Sequence, residues 1–400
     1  MSKLEECILG DLVEFQRGYD LPKSKFVEGK YPVQSSNGIL GYHNEYKVEG
    51  PGITIGRSGT VGTPHLIREN FFPHNTSLFV KEFKGNDIEY IYYLLQYLDL
   101  GNQKSGSGVP TMNRNHLHPI KIRAYRDKTY QQRTIKILSL IDKKIQINNQ
   151  INQELEAMAK TLYDYWFVQF DFPDQNGKPY KSSGGKMVYN QDLKREIPEG
   201  WGVEKLENLG TIVGGSTPTK SISDNFTKGG EGYSWITPND LSNNKGNKFI
   251  KNGEIDVTVR GLKDASLKLY PEGTVLMSSR APVGYLAIST KEITTNQGFK
   301  SFIPDKKYGK NYIYYTLQNN LKVIEQHASG STFKEISATV LKDITIIQPN
   351  LDIVKKFEEK VSSINSYIKV NEEQNQELTQ LRDWLLPMLM NGQVRVEDNT

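Results

Sequence analysis

Two groups of residues in this chain have types and spacing that could do chemistry. The first group looks catalytic or metal-binding. Pro173-Asp174, followed by Asp192-Leu193-Lys194, has the order of a Mg²⁺-binding carboxylate set with a lysine. That chemistry needs its carboxylates on adjacent rigid strands. Here they fall in a Gly/Ser-rich stretch with no apolar strand between them. The Glu-x-Lys half also recurs at Glu28/Lys30, Glu45/Lys47 and Glu82/Lys84, so it carries little information. His116-x-His118 is the nearest thing to a ligand pair, and reads as one packed and one exposed histidine on a strand. Cys7 is the only cysteine, which excludes a disulfide within the chain and a cysteine-built zinc site. There is no Gly-x4-Gly-Lys-Ser/Thr phosphate loop, no Gly-x-Ser-x-Gly elbow and no Asn/Asp-Pro-Pro-aromatic tetrapeptide. The expectation is a chain with no catalytic residue and no metal site.

The second group consists of polar side chains among glycines. In the first half these are Arg57, Ser58 and Thr60, then His74, Asn75 and Thr76. Lys104, Ser105 and Ser107 follow, then Asn113, Arg114, Asn115 and His116. The second half has Thr217, Thr219 and Lys220, then Ser278, Ser279 and Arg280. It continues with Asn296, Gln297 and Lys300, then Ser331, Thr332 and Lys334. Arginine reads guanine edges and Asn or Gln reads adenine, while Ser, Thr, Lys and backbone N–H groups hold phosphates. For any one of these residues, composition alone favours an ordinary solvated loop. Their recurrence in both halves favours a DNA-reading face. Fifty basic against 46 acidic residues leave +4, which excludes histone-like wrapping but not a local basic patch.

The elements that must position these groups repeat. Glu89–Gln96 matches Asn311–Gln318 at an offset of 222 (Tyr312 minus Tyr90). Ser105-Gly106-Ser107 matches Ser329-Gly330-Ser331, and Leu117–Ile122 matches Leu341–Ile346, both at 224. Asn148, Asn152 and Leu155 match Asn371, Asn375 and Leu378 at 223. Ordered matches at nearly one offset mean tandem copies of one unit, with a period far too long for a solenoid. Each unit opens with short apolar runs between turns, such as Gly52–Gly56 and Gly273–Met277, which predict strands. The spacing predicts short helices over Ile88–Leu98 and Tyr312–Ile324. The fold class is α+β, with mostly-strand globular domains.

Each unit closes with a long helix, from about Tyr130 to Phe167 and from about Leu351 to Met390. Leu138, Ile141, Ile145, Asn148, Asn152, Leu155, Ala159, Leu162 and Trp166 are spaced 3, 4, 3, 4, a heptad seam. The second seam is Val361, Ile364, Ile368, Asn371, Asn375, Leu378, Arg382, Leu385 and Leu389, with Arg382 its awkward member. Asparagine at matched seam positions fixes register and partner number. A second stripe, Ile137, Leu140, Ile147, Ile151 and Met158, needs a further surface. That surface is either a docked protein or the chain's own domains. The expected boundaries are 1–128 and 198–348 for the globular domains, and 129–170 and 349–391 for the helices. A linker over 171–197 and a tail over 392–400 complete the chain. The start shows no apolar signal core and no run approaches a membrane span, so a cytoplasmic protein is expected.

The chain resembles the specificity (S) subunits of Type I restriction–modification systems over essentially its whole length. The marks are the domain–helix–domain–helix order, Ile197-Pro198-Glu199-Gly200-Trp201 at the second domain, and Leu9-Gly10-Asp11-Leu12 at the first. Gln150–Leu155, Gln374–Leu378 and Leu162–Phe167 look like the family's spacer helices. The first domain departs from the pattern in lacking the Pro-Glu-Gly-Trp opening. The resemblance implies two target recognition domains, each reading half of a bipartite, asymmetric double-stranded DNA sequence. It implies spacer helices packed as an antiparallel coiled coil with pseudo-twofold symmetry. Two methyltransferase subunits using S-adenosylmethionine would dock on the helices. Restriction subunits using ATP and Mg²⁺ would join them, and this chain itself would bind no cofactor. The alternative is a stand-alone DNA-binding or scaffold protein with no methyltransferase partner.

Overall fold

The computed structural model describes residues 3–102, 111–280, 282–330 and 334–394. It divides into two compact units, one of Met1–Ile147 with Asn375–Thr400 and the other of Asn148–Gln374. Each unit therefore takes part of both long helices.

In the first unit, Glu5–Ile8 pairs antiparallel with Lys121–Ala124 and closes the ends of the domain. A four-stranded sheet runs Glu14–Arg17, Ser77–Glu82, Gly52–Gly56, Pro64–Ile67. A three-stranded sheet runs Gly38–His43, Tyr31–Ser35, Phe72–Pro73. Helix α1, Ile88–Leu98, starts where the Asp87 carboxylate accepts from the Tyr90 N–H at 3.0 Å. It stops at Asp99, which turns left-handed at φ 42°. Its buried face, Tyr90, Ile91, Tyr93, Leu94 and Leu95, joins Ile53, Ile55, Leu78 and Val80 of the sheet in one core. Helix α2, Lys128–Tyr163, lays Ile135 and Leu138 on this core, and Leu389 and Met390 complete it from the far end of the chain.

The second unit repeats the plan. Gly202–Lys205 pairs antiparallel with Thr345–Gln348. A five-stranded sheet runs Thr211–Val213, Ser301–Ile303, Val275–Met277, Leu286–Ser289, Phe249–Ile250. A four-stranded sheet runs Phe226–Lys228, Ile255–Val257, Tyr233–Ile236, Thr294–Thr295. Helix α3, Lys310–His327, buries Tyr312, Ile313, Tyr315 and Leu317 against Val275, Met277 and Phe302. Helix α4, Leu351–Met390, packs Ile353, Val354, Phe357 and Val361 on the same core.

Within each unit the two long helices touch, with residue number rising on one as it falls on the other. In the second unit Asn371 donates to Asn152 at 2.9 Å and Asn148 donates to Gln374 at 2.8 Å. In the first unit Arg382 pairs with Asp142 at 3.0 Å, and Tyr93 O–H donates to the same carboxylate at 2.7 Å. The awkward seam arginine thus has a built partner. Of the seam positions, Leu138, Ile141 and Ile368 are buried, while Ile145, Leu155, Leu162, Ile364, Asn375, Leu378 and Leu385 are half-buried. The second stripe does not pack on the chain's own domains. Ile137, Leu140, Ile147, Ile151 and Met158 are between 43% and 59% exposed. On α4, Tyr367, Val370, Leu381 and Trp384 form an exposed counterpart that the sequence reading missed.

Two expectations need correction, and the first long helix, which runs to the expected end, closes irregularly. The stretch read as a linker is folded. Met187–Asn190 and Arg195–Pro198 form an antiparallel hairpin, and Phe172 stacks between Tyr180 and Trp201 at 4.7 and 5.0 Å. The first long helix ends as a π turn over Asp164–Val168, which brings Trp166 and Phe167 into the second unit's core. His116 and His118 lie at a short helical turn, Arg114–Leu117, not on a strand. The exposure pattern is as expected. His116 is exposed, and the His118 Nε2 accepts from the Phe15 N–H at 3.0 Å. No helix among the described residues is long and apolar enough to cross a membrane.

Candidate nucleic-acid interface

Backbone hydrogen bonds bring the polar clusters of each unit together. In the first unit the Arg57 N–H donates to the Thr76 carbonyl at 2.8 Å, and the Met112 N–H donates to the Arg57 carbonyl at 2.8 Å. Three segments distant in sequence, around Arg57, His74–Thr76 and Asn113–Asn115, therefore share one edge. The second unit makes the same bonds at the repeat offset. Ser279 N–H donates to the Gly298 carbonyl at 2.7 Å, and Ile336 N–H to the Ser279 carbonyl at 3.0 Å. The bridge between Ser58 and Thr111 recurs between Arg280 and Glu335.

A fourth segment completes each edge. Tyr19 N–H donates to the Pro73 carbonyl at 2.8 Å, and Ser216 N–H to the Thr295 carbonyl at 3.0 Å. The residue before each must be glycine. A Cβ on Gly18 would lie 2.1 Å from the His74 carbonyl oxygen, and one on Gly215 would lie 1.7 Å from that of Thr295. The next residues, Asp20 and Thr217, hydrogen-bond the matched amides Asn75 and Gln297. The backbone is thus a common frame, and the side chains hung on it differ between units.

In the first unit this edge opens on a cleft of about 540 Å³ lined by Gln16, Arg17, Tyr19, Arg57, Asn113 and Arg114 among others. Three guanidinium-bearing residues border it, and Asp20, which pairs with Arg17 at 3.1 Å, is its one acid. Arg57 and Ser58 are half-buried, and Thr60, Arg114 and Asn115 are exposed. Asn113 caps the turn that carries Arg114, accepting from the Asn115 N–H at 3.0 Å. His74 lies 3.0 Å from the Thr76 hydroxyl, and burial holds its pKa below the usual histidine range. Arg17, Gln16, Tyr19 and Asp20 were not picked out in the sequence. Their segment matches the second unit at an offset of 197 (Gly215 minus Gly18), not 222–224, so it falls outside the common repeat spacing.

In the second unit Gln297 and Lys334 are exposed and Thr217, Asn296 and Lys300 are half-buried. Asn296 accepts from the Gly298 N–H at 2.8 Å, which fixes the turn that presents Gln297. Arg280 pairs with Glu335 at 3.1 Å, and Lys300 lies near both, its pKa lowered mainly by burial. Lys220 is exposed beyond this cluster. Ser279 is a correction. It is fully buried, occupying the position of Arg57, so its side chain cannot meet a ligand and only its backbone serves the frame. Lys104, Ser105, Ser107 and Ser331 lie outside the described residues.

The catalytic look-alikes dissolve into turns. Asp174 accepts from the Asn176 and Lys178 N–H groups at 2.8 Å each, and Asp192 sits at the tip of the Met187–Pro198 hairpin. Among the described residues there is no cluster of His, Cys, Asp and Glu that could hold a metal ion.

Two α+β domains with matched polar edges alternate along the chain with two long helices. The family model for the Type I restriction modification DNA specificity domain matches residues 1–157 and 198–380, and the chain belongs to this family. The MjaIX specificity subunit of Methanocaldococcus jannaschii is 35% identical over 188 residues, 46% of this chain and 43% of that protein. The HindI specificity subunit of Haemophilus influenzae is 28% identical over 319 residues, 67% of this chain and 68% of that protein. The crystal structure of the S subunit from M. genitalium matches with a TM-score of 0.57 at 16% identity, over 100% of this chain and 97% of that one. At that identity the likeness is one of fold.

Proposed function

We propose that this chain reads a two-part double-stranded DNA target, one part with each globular domain, and is not itself catalytic. The observation that carries this reading is the shared edge. The same backbone hydrogen bonds in both units present Arg57, Asn75 and Arg114 in one, and Arg280, Gln297 and Lys334 in the other. One frame with unequal side chains suits two unequal half-targets. Side chains of this kind supply base-edge contacts, and the surrounding lysines and hydroxyls supply phosphate contacts.

The exposed apolar stripes on α2 and α4 are the proposed seats of two methyltransferase subunits, with restriction subunits joining that assembly. An apolar heptad stripe left open to water on a long helix is a surface that wants a partner. The S-adenosylmethionine, ATP and Mg²⁺ of such an assembly would be bound by those partners and not by this chain.

The test is single-molecule sequencing of DNA from a host expressing this chain with a cognate methyltransferase, against a host lacking the chain. The expected result is an N6-methyladenine motif of two parts with a fixed gap that disappears without the chain. Methylation unchanged by its removal, with both proteins expressed, would overturn the reading.

A further inference from the structure

One side chain in the second unit is unlike any other lysine among the described residues. Lys248 is only 4% exposed, yet its ammonium donates to Glu156 of α2 at 2.8 Å, to Asn365 of α4 at 3.0 Å and to the Tyr315 hydroxyl of α3. It also lies over the Tyr314 and Tyr315 rings, 4.5 and 4.1 Å from their centroids. Its backbone takes part as well. The N–H groups of Lys248 and Phe249 donate to the two oxygens of Glu372 on α4, at 2.7 and 3.0 Å.

Phe249 opens the strand Phe249–Ile250, which pairs with Leu286–Ser289 in the five-stranded sheet. Two further strands of that sheet, Val275–Met277 and Ser301–Ile303, run directly into Ser278–Arg280 and Lys300 of the polar edge. A single residue therefore ties the sheet that carries the edge to three helices at once. Apolar packing alone tolerates small slides, because dispersion contacts are non-directional. A buried cation with several directional acceptors has few alternative seats, and leaving it unpaired is severe. Buried ion pairs add little net stability compared with an apolar replacement, so uniqueness of arrangement is the more telling consequence.

We propose that Lys248 is a positioning residue for DNA recognition, holding the second recognition domain in one orientation on its helices and thereby fixing the gap at which its half-target is accepted. This rests on the two-part reading above.

The experiment uses the full chain co-expressed with its methyltransferase. Wild type, Lys248→Met and Tyr315→Phe are each challenged with a DNA library that varies the gap by one or two base pairs and randomises the second half-target. For Lys248→Met, the bases of the second half-target stay the same, while preference for the native gap over a gap one base pair longer or shorter falls at least tenfold. Tyr315→Phe removes one acceptor of the ammonium and loosens the gap in the same direction, less strongly. Gap preference equal to wild type in methylating Lys248→Met overturns the proposal, as does a change in the bases read with the gap intact. Should Lys248→Met fail to fold, an unchanged gap in Tyr315→Phe overturns it. A wild-type chain that yields no two-part motif sinks the reading of the previous subsection and this proposal with it. A wild-type two-part motif with unaltered variants sinks this proposal alone.

Discussion

The two units hold their long helices by different chemistry on the same backbone plan. In the first, the anchor is a neutral amide. Gln131 of α2 is fully buried, accepts from the Asp87 N–H at 2.8 Å, and donates to Asn86 and the Tyr125 carbonyl at 2.7 Å each. In the second, the anchors are ionisable. Glu358 of α4 accepts from the Tyr312 N–H at 2.6 Å and the Asn311 side chain at 2.8 Å, and Glu372 and Lys248 form the node described above. The matched tyrosines make the contrast plain. Tyr93 donates to Asp142, which also pairs with the helix-borne Arg382, whereas Tyr315 donates to Glu156 and accepts from the domain-borne Lys248. A repeated fold fixes where a partner is needed and leaves open which chemistry supplies it.

The largest expected effect that would break this comparison is at the neutral anchor. Gln131→Ala strands donors and acceptors on three partners, at roughly 1–3 kcal/mol each, so the first unit should lose at least about 3 kcal/mol. Hydrogen exchange of the α1 amides reads the loss, with the second unit's α3 amides unchanged. Equal loss in both units would show that the anchors are not independent.

Arg57→Ala should weaken recognition of one half-target by about 1–3 kcal/mol if the guanidinium makes a bidentate guanine contact, and Arg280→Ala should do the same to the other half. Methylation of single-base variants of each half separates the two. An effect of Arg57→Ala on both halves, or on neither, counts against one domain per half-target.

The units should also drift oppositely with pH between 5 and 7. Burial raises the pKa of Glu358, and raises that of Glu372 to about 7. Their contribution is complete below the ordinary carboxylate range and is lost as pH rises through the raised values. Burial lowers the pKa values of His74 and His118 in the first unit, the latter also through Lys84 and Arg114. Their contribution is present above the ordinary histidine value and is lost as pH falls through the lowered ones. Exchange-derived opening free energies should thus fall with rising pH in the second unit and with falling pH in the first. Parallel slopes would show that these carboxylates and histidines do not set the units apart. The Lys248 pKa, pushed down to about 8 by burial, adds a separate loss in the second unit as pH falls through that value.

The smallest effect is at the cleft rim. Arg17→Ala should make the slope of log affinity against log salt shallower by about 0.9 if Arg17 meets one phosphate. Sequence preference should not move, and a change in preference would place Arg17 among the base readers instead.

The repeat, the strand-rich domains and both heptad seams were legible because they rest on local order: periodicity, turns and matched spacing. Asn152 and Asn371 were recognisable as seam residues for that reason, and the structure shows that they bond to each other. The polar edge was legible only in part. Arg57, Asn75, Arg114, Arg280 and Gln297 stood out as members of recurring polar clusters, but Ser279 looked the same and is buried. Nothing local distinguishes an inward serine from an outward one on an irregular strand. The fold of 171–197 was hidden because its core is a stack of Phe172, Tyr180 and Trp201, with no period to detect.

By itself the sequence determined that this protein is a tandem repeat of domain and helix, because periodicity and offset survive without any knowledge of contacts. Only the tertiary structure decided which side chains share an edge, which stripe stays open to water, and that Lys248, just before a sheet strand, reaches three helices. Those are facts of long-range closure. They depend on where distant segments come to lie, and no spacing along the chain encodes a hydrogen bond across more than 90 residues, such as that from Lys248 to Glu156.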